Sequence, residues 1–237
     1  MNGLLIAMLV ALVFVVLAFV VFASHADRAL SVTPREAQSI MRSNFFDLND
    51  AYVHLGVVIP EDWDRVLRRV PFTREVLEEC KCTHVLVAIP PISILQMRTI
   101  ATTAHFYEDE NPWYLAEPFA QEEGKLAWKL IRKTPVEHST MRSAMDQRTL
   151  LREDEVIPTA RELVYAILGR YHKVGTHLLE HFYARTLTKD SYGRRVCVGS
   201  LGSDGISIIN EFHDEGRYPV VGIASARSHE EKRRRIA

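Results

Sequence analysis

Cysteine is scarce in this chain of 237 residues, with three, at positions 80, 82 and 197. An odd number without regular spacing excludes a disulfide framework. Neither charge sign dominates, and the formal net charge of -1 excludes the basic excess of a dedicated nucleic-acid binder. No P-loop, dinucleotide-binding glycine pattern or G-x-S-x-G nucleophile elbow occurs. The glycines at 199, 202 and 205 fall among β-prone segments, where they read as turn or bulge residues. No Gly/Ser/Pro-rich stretch divides the chain, and no internal repeat is visible. With 47% hydrophobic and 25% charged residues, the composition is globular rather than disordered or collagenous.

Charge is also missing from one end, since no Asp, Glu, Lys or Arg precedes Asp27. Leu4 to Ala23 is an unbroken apolar run. At about 1.5 Å per residue it covers a hydrocarbon core of about 30 Å. It predicts a single transmembrane helix over residues 3–23, with the lipid bilayer as its partner. Arg28, Arg35 and Arg42 follow the run and none precedes it, so the positive-inside rule places the remaining domain in the cytoplasm. Ser24-His25-Ala26 is a small-x-small site, so the competing expectation is a cleaved signal peptide and an exported domain. The length of the run and its lack of a leading charge favour an uncleaved anchor. The predicted layout is an anchor over 1–23, a connector over 24–32, one globular domain over 33–227 and a basic tail over 228–237. That tail contains Lys232, Arg233, Arg234 and Arg235.

Within the domain, Thr33-Pro34-Arg35-Glu36 combines a capping box with proline at the first helical position. Further helices are predicted over Phe45–Leu55, stopped by Gly56, over Pro60 to about Arg69, and from Thr73 through Glu79. Thr83–Ile89 is short, β-rich and apolar, which reads as a buried strand; Ile92–Ala101 reads as helix. Residues 126–133 alternate as a half-buried strand does. Ser139 or Thr140 caps a helix to about Leu151, and Pro158-Thr159 starts a stronger one to about Lys173. Segments near 179–187, 194–201, 205–212 and 218–225 are β-prone and separated by turn residues. The predicted fold class is α+β: short helices, then a mostly antiparallel sheet ending in a C-terminal β-meander.

Ser43-Asn44-Phe45-Phe46, Val70 through Leu77, Thr83 through Ala88 and Trp128 through Val136 occur in fixed order, followed by Ser139-Thr140, Gln147, Leu150-Leu151 and Pro158-Thr159-Ala160. In these phrases the chain resembles a recurrent family of bacterial proteins of unknown function, over about residues 36–227. The resemblance implies kinship and brings no activity, cofactor or catalytic residue with it.

The sharpest chemical string is His177-Leu178-Leu179-Glu180-His181. On a helix, His177 and His181 lie one turn apart and can hold Zn²⁺, with Glu180 as general base for a metal-bound water. On a strand the same histidines stand about 13 Å apart, too far to share one ion. Gly175 before the string and Phe182–Thr186 after it favour a strand start. Glu211 or Glu215 would have to supply a third ligand. Cys80, Cys82 and His84 alternate, so an extended segment would put all three on one face, with Cys197 as a distant fourth ligand. The competing reading is of small buried thiols beside a core strand, Cys80 ending the preceding helix. Asp204 and Asp214 suit turn positions. Lys129, with Arg132 and Lys133, can present cations to an anion or acidic partner, or simply protect a solvated strand.

These observations predict a single-pass membrane-anchored protein with a non-catalytic cytoplasmic binding or interaction domain, for which a protein partner is compatible and nucleic acid is not expected. A zinc-dependent hydrolase built on His177, Glu180 and His181 is the alternative.

Overall fold

The computed structural model describes residues 31–101, 105–107, 111–200 and 205–228. Its first element is the predicted capping box. The Thr33 hydroxyl accepts the Glu36 N–H, the Glu36 carboxylate accepts the Thr33 N–H, and helix α1 runs over Pro34–Met41. A 3-10 turn, Arg42–Asn44, leads into a short strand β1, Phe45–Phe46. The helix predicted from Phe45 therefore begins later. Asp47 caps it, α2 covers Leu48–Leu55, and Gly56 ends it in the left-handed conformation. The third predicted helix shrinks to one turn, α3, Trp63–Val66. Thr73 caps α4, Arg74–Cys80.

The apolar segment that follows is strand β2, His84–Ile89, buried along its whole length. Ser93 caps α5, Ile94–Ile100, and α6 is a single turn at Pro118–Gln121. Strand β3, Ala127–Arg132, precedes α7, Ala144–Arg148, and a two-residue strand β4, Glu155–Val156. Thr159 closes a second capping box on the longest helix, α8, Ala160–Val174. The remaining strands are β5 at Phe182–Lys189, β6 at Arg195–Ser200, β7 at Ile206–Ile209, β8 at Val221–Ile223 and β9 at Ala226–Arg227.

Two sheets result. One has the order β1-β2-β3-β9-β4, with β1 parallel to β2 and the other pairs antiparallel. The other has the order β7-β6-β5-β8. Helix α8 lies between them and touches β2 and β3 on one side and β5, β6 and β7 on the other. That position explains its composition: Leu163, Val164, Tyr165, Ala166, Ile167 and Leu168 form a continuous buried run, so the helix is apolar around most of its circumference. Each large aliphatic side chain so buried contributes about 1.5–3 kcal/mol. Strand β2 divides two cores by its alternation. Val85, Val87 and Ile89 pack in the core of α8, whereas Leu86 and Ala88 join Ile40, Phe45, Leu77 and Trp128 beneath α1 and α4.

Three expectations need correction. Among the described residues no helix is long and apolar enough to cross a membrane. The longest, α8, has 15 residues and carries Arg161, Glu162, Arg170 and Lys173. At 1.5 Å per residue that is roughly 22 Å, short of a hydrocarbon core. The span predicted over residues 3–23 lies outside the described residues, as does most of the basic tail. The fold class is accordingly α+β with two sheets, and the transmembrane and single-pass descriptions find no support in it.

Second, the C-terminal strands form only a partial meander. β5, β6 and β7 pair antiparallel in sequence order, but β8 returns to the far side of β5 and runs parallel to it. The reason is a buried cation beneath the crossing loop: Arg185 on β5 donates to the carbonyls of His213 and Gly216 and draws that loop across the sheet. Third, Gly199 is neither turn nor bulge. It lies within β6, where a Cβ would stand 2.2 Å from the Phe182 carbonyl oxygen.

Candidate functional site at the end of helix α8

Helix α8 ends at Val174, and Gly175 follows in the left-handed conformation, its N–H donating to the Tyr171 carbonyl. The last turn is basic, as the negative end of a helix dipole favours. Separated segments converge on it. The Arg170 guanidinium donates from Nε to Thr176 Oγ1 at 3.1 Å, and from Nη1 to the Ser43 carbonyl at 2.7 Å and Asn44 Oδ1 at 2.9 Å. Lys173 reaches the Phe45 carbonyl at 2.8 Å and the Asp50 carboxylate at 2.6 Å. Beneath them lies a cavity of about 10 Å³, lined by residues that include Phe46, Val87, Gly169, Arg170 and Lys173. It has room for about one water molecule.

Around the same turn stands a group of imidazoles. His105 packs edge-on against His172, with ring centroids 4.5 Å apart, and against Tyr171 at 5.2 Å. His177 lies almost flat on Tyr171, at 4.3 Å and 23°. His172 Nε2 and His177 Nδ1 are buried without a hydrogen-bond partner among the described residues. Burial holds both imidazoles below the ordinary histidine range; His105 and His54 add to the effect on His172, and His105 adds to it on His177 against an opposing Glu180.

The H-x-x-E-H string is thus placed on the loop between α8 and β5. Leu179 and His181 both adopt positive φ, 56° and 66°. His177 belongs to the aromatic group, whereas Glu180 and His181 form an exposed pair, 3.9 Å apart. The helix on which the zinc arrangement depends has ended before His177. Among the described residues no group of three or more His, Cys, Asp or Glu is arranged to hold a metal ion.

The second sulfur–imidazole set is dispersed in a similar way. Cys80 is buried as the last residue of α4, Cys82 is exposed in the turn after it, and His84 opens β2. Burial pushes the Cys80 thiol up to about 11 and the Cys197 thiol up to about 12, which leaves both protonated and unreactive at neutral pH. Burial lowers His84 to about 4, with Arg132 and Arg227 adding to the effect. Its Nδ1 meets Thr83 Oγ1 at 2.8 Å, and its Nε2 has no partner among the described residues. Asp214 pairs with Arg195 through two contacts, 2.8 and 3.1 Å.

The three cations expected along β3 separate by their partners. Lys129 is paired with Glu162 at 2.9 Å and Arg132 with Glu137 at 3.1 Å. Lys133 has no carboxylate among the described residues. Its own carbonyl receives the Leu179 N–H, so it borders the loop that carries Thr176 and His177. Its ammonium is held below the ordinary lysine range, first by burial and then by the positive charge of Arg170. Sequence reasoning singled out Lys133 but missed Arg170, Asn44, Thr176 and His105. Only Arg170 carries a local signal, its place just before the final turn of a strongly marked helix.

No family model, curated protein or solved structure matches the chain.

Proposed function

We propose that this chain is a non-catalytic binding module whose binding face is the C-terminal turn of α8 with residues 43–46, Lys133 and 175–179 around it. The observation that carries the reading is the pair Lys133 and Arg170. Lys133 follows β3 and Arg170 belongs to α8, the positive charge of Arg170 acts on Lys133, and neither is neutralised by a carboxylate among the described residues. Lys129, Lys173 and Arg195 are matched by carboxylates, whereas the buried Arg161 and Arg185 are met by backbone carbonyls. Uncompensated like charges held side by side disfavour one another, and a ligand that supplies the missing charge or acceptors relieves that.

The test is a thermal-shift screen of the full chain against anionic, cationic and neutral small molecules and short peptides, followed by hydrogen exchange. The expected result is one ligand class that raises Tm, by on the order of 5 °C at 100 times its Kd, and slows exchange at 42–46 and 175–179. Protection that falls only elsewhere would remove the assigned face. Conversion of the bound compound into a product would replace the module with an enzyme.

A further inference from the structure

We propose that the imidazoles of His105 and His172 are a pH-operated latch, which holds residues 105–107 over the edge of β7 at neutral pH and releases them in acid. The inference goes beyond the binding-module reading and stands whether or not a ligand occupies that face.

Residues 105–107 lie between the end of α8 and β7, the last strand of its sheet. On the strand side the contact is made by backbone. Phe106 bridges Ile206 in parallel, and the Tyr107 N–H donates to the Ile206 carbonyl at 2.9 Å. Gly205 permits that approach, since a Cβ there would stand 2.9 Å from the His105 carbonyl oxygen. Further along, the Trp113 indole N–H donates to the Ile208 carbonyl at 2.7 Å. The strand edge is thereby covered, as sheet edges in native proteins generally are. Phe106 is buried, with the Arg98 guanidinium of α5 lying 4.8 Å from its ring centre. On the helix side the contact is between rings. His105 meets His172 at 4.5 Å and Tyr171 at 5.2 Å, and Tyr171 in turn carries His177 at 4.3 Å.

That ring packing suits neutral imidazoles. His105, His172 and His177 are each half-buried, and neither His105 nor His172 is paired with a carboxylate among the described residues. The charges around them oppose a further proton. Arg170 and Lys173 flank Tyr171 and His172 on α8, and His54 acts on His172 from α2. Asp50 is engaged by Lys173 at 2.6 Å and lies 4.0 Å from His54. Glu180 favours charge on His177, but it sits on the exposed loop beside His181. A proton on either ring of the His105–His172 pair therefore works against burial and against the ring beside it. Burial, with His105 and His54 adding to it, holds His172 below the ordinary histidine range while the rings are packed. Release restores it toward its ordinary 6.5, so the latch is at full strength above 6.5 and weakens as pH falls below that value.

The experiment is amide hydrogen exchange of the full chain at pH 7.5 and pH 5.0, read residue by residue and corrected for the intrinsic pH dependence of exchange. The Tyr107 N–H, bonded to Ile206, reports the latch. Its protection should fall by about tenfold or more at pH 5.0, while the amides of α8 and β6 keep theirs. His172→Phe keeps a ring edge-on to His105 but takes up no proton, and it should reduce the change to less than about threefold. His105→Phe, on the segment itself, should do the same and serves where His172→Phe fails to fold. His181→Asn removes the exposed histidine of the neighbouring loop, at a positive φ that asparagine tolerates, and should leave the full change in place. Equal protection of Tyr107 at the two pH values would overturn the latch. So would its loss together with the amides of α8, which would mean global unfolding, or an undiminished change in both phenylalanine variants.

Discussion

Arg185 and Cys197 face each other across the β5–β6 ladder, and both are completely buried. The cation does not turn its neighbour into a thiolate. Burial outweighs the attraction, and the Cys197 thiol is pushed up to about 12. Cys80, pushed up to about 11, is silenced for the same reason, whereas Cys82 is exposed. Titration of the native chain with a disulfide reagent at pH 8 is therefore expected to modify one thiol quickly and the other two only in denaturant. Rapid reaction of two thiols in the native state would contradict the burial of Cys80 or Cys197.

Arg185 itself acts as a buried strut. Its guanidinium donates to the carbonyls of Arg142, His213 and Gly216, with Tyr218 packed against it. Arg185→Leu leaves those carbonyls without donors and should cost about 3 kcal/mol or more. Arg185→Lys keeps the charge but not the fork, so it should recover only part of the loss. Urea denaturation measures both, and hydrogen exchange should show the 213–218 loop released first. A lysine variant as stable as the parent would show that charge alone suffices.

Acid should weaken the fold well above the carboxylate range. His84 has a folded value of about 4 against an ordinary 6.5. Below 6.5 the unfolded chain therefore binds a proton that the folded chain refuses. Stability from this residue is present above 6.5 and is lost as pH falls toward 4, by about 3 kcal/mol in total. His172 and His177, also lowered, act with the same sign. Urea midpoints taken from pH 7.5 to 4.5 should fall steadily, with a shallower slope in His84→Leu. Coincident slopes would mean that His84 accepts its proton in the folded state.

Two glycines separate close packing from backbone strain. In Gly199→Ala the new methyl meets the Phe182 carbonyl oxygen at 2.2 Å, a backbone atom in the neighbouring strand. The ladder must open, at about 2–3 kcal/mol. Gly193, at φ 79°, has open space around its Cβ direction. Gly193→Ala should cost only about 1 kcal/mol of left-handed strain. Thermal melts that rank the two in the opposite order would contradict the register of β5 against β6.

Local signals were legible to the extent that they involved neighbours in sequence. Thr33, Thr159, Gly56 and Gly175 mark helix ends through contacts within one turn, and all four stand where the sequence places them. Two-residue strands such as β1 and β4 carry no periodicity and were not visible. The parallel return of β8 depends on Arg185 reaching His213 and Gly216, a tertiary contact without a local trace. The hub at the end of α8 is similar. Lys133 drew attention through a run of charges, but its likeness to Lys129 and Arg132 in sequence conceals that those two are paired with carboxylates and that it has none among the described residues. His177 read as a metal ligand because the string matched a helical spacing that the stop at Gly175 interrupts.

Strands β8 and β9 are nearly consecutive, yet β8 completes the sheet of β5 and β9 completes the sheet of β3. Both sheets are thus closed by the same short stretch, Val221–Arg227. During synthesis neither sheet acquires its full set of strands until that stretch has emerged, and β3 must wait for a partner made almost a hundred residues later. Long-range closure of this kind slows folding. It also makes the two halves interdependent: a chain that stops short of Val221 loses a strand from each sheet at once, so truncation removes the fold as a unit rather than trimming one end.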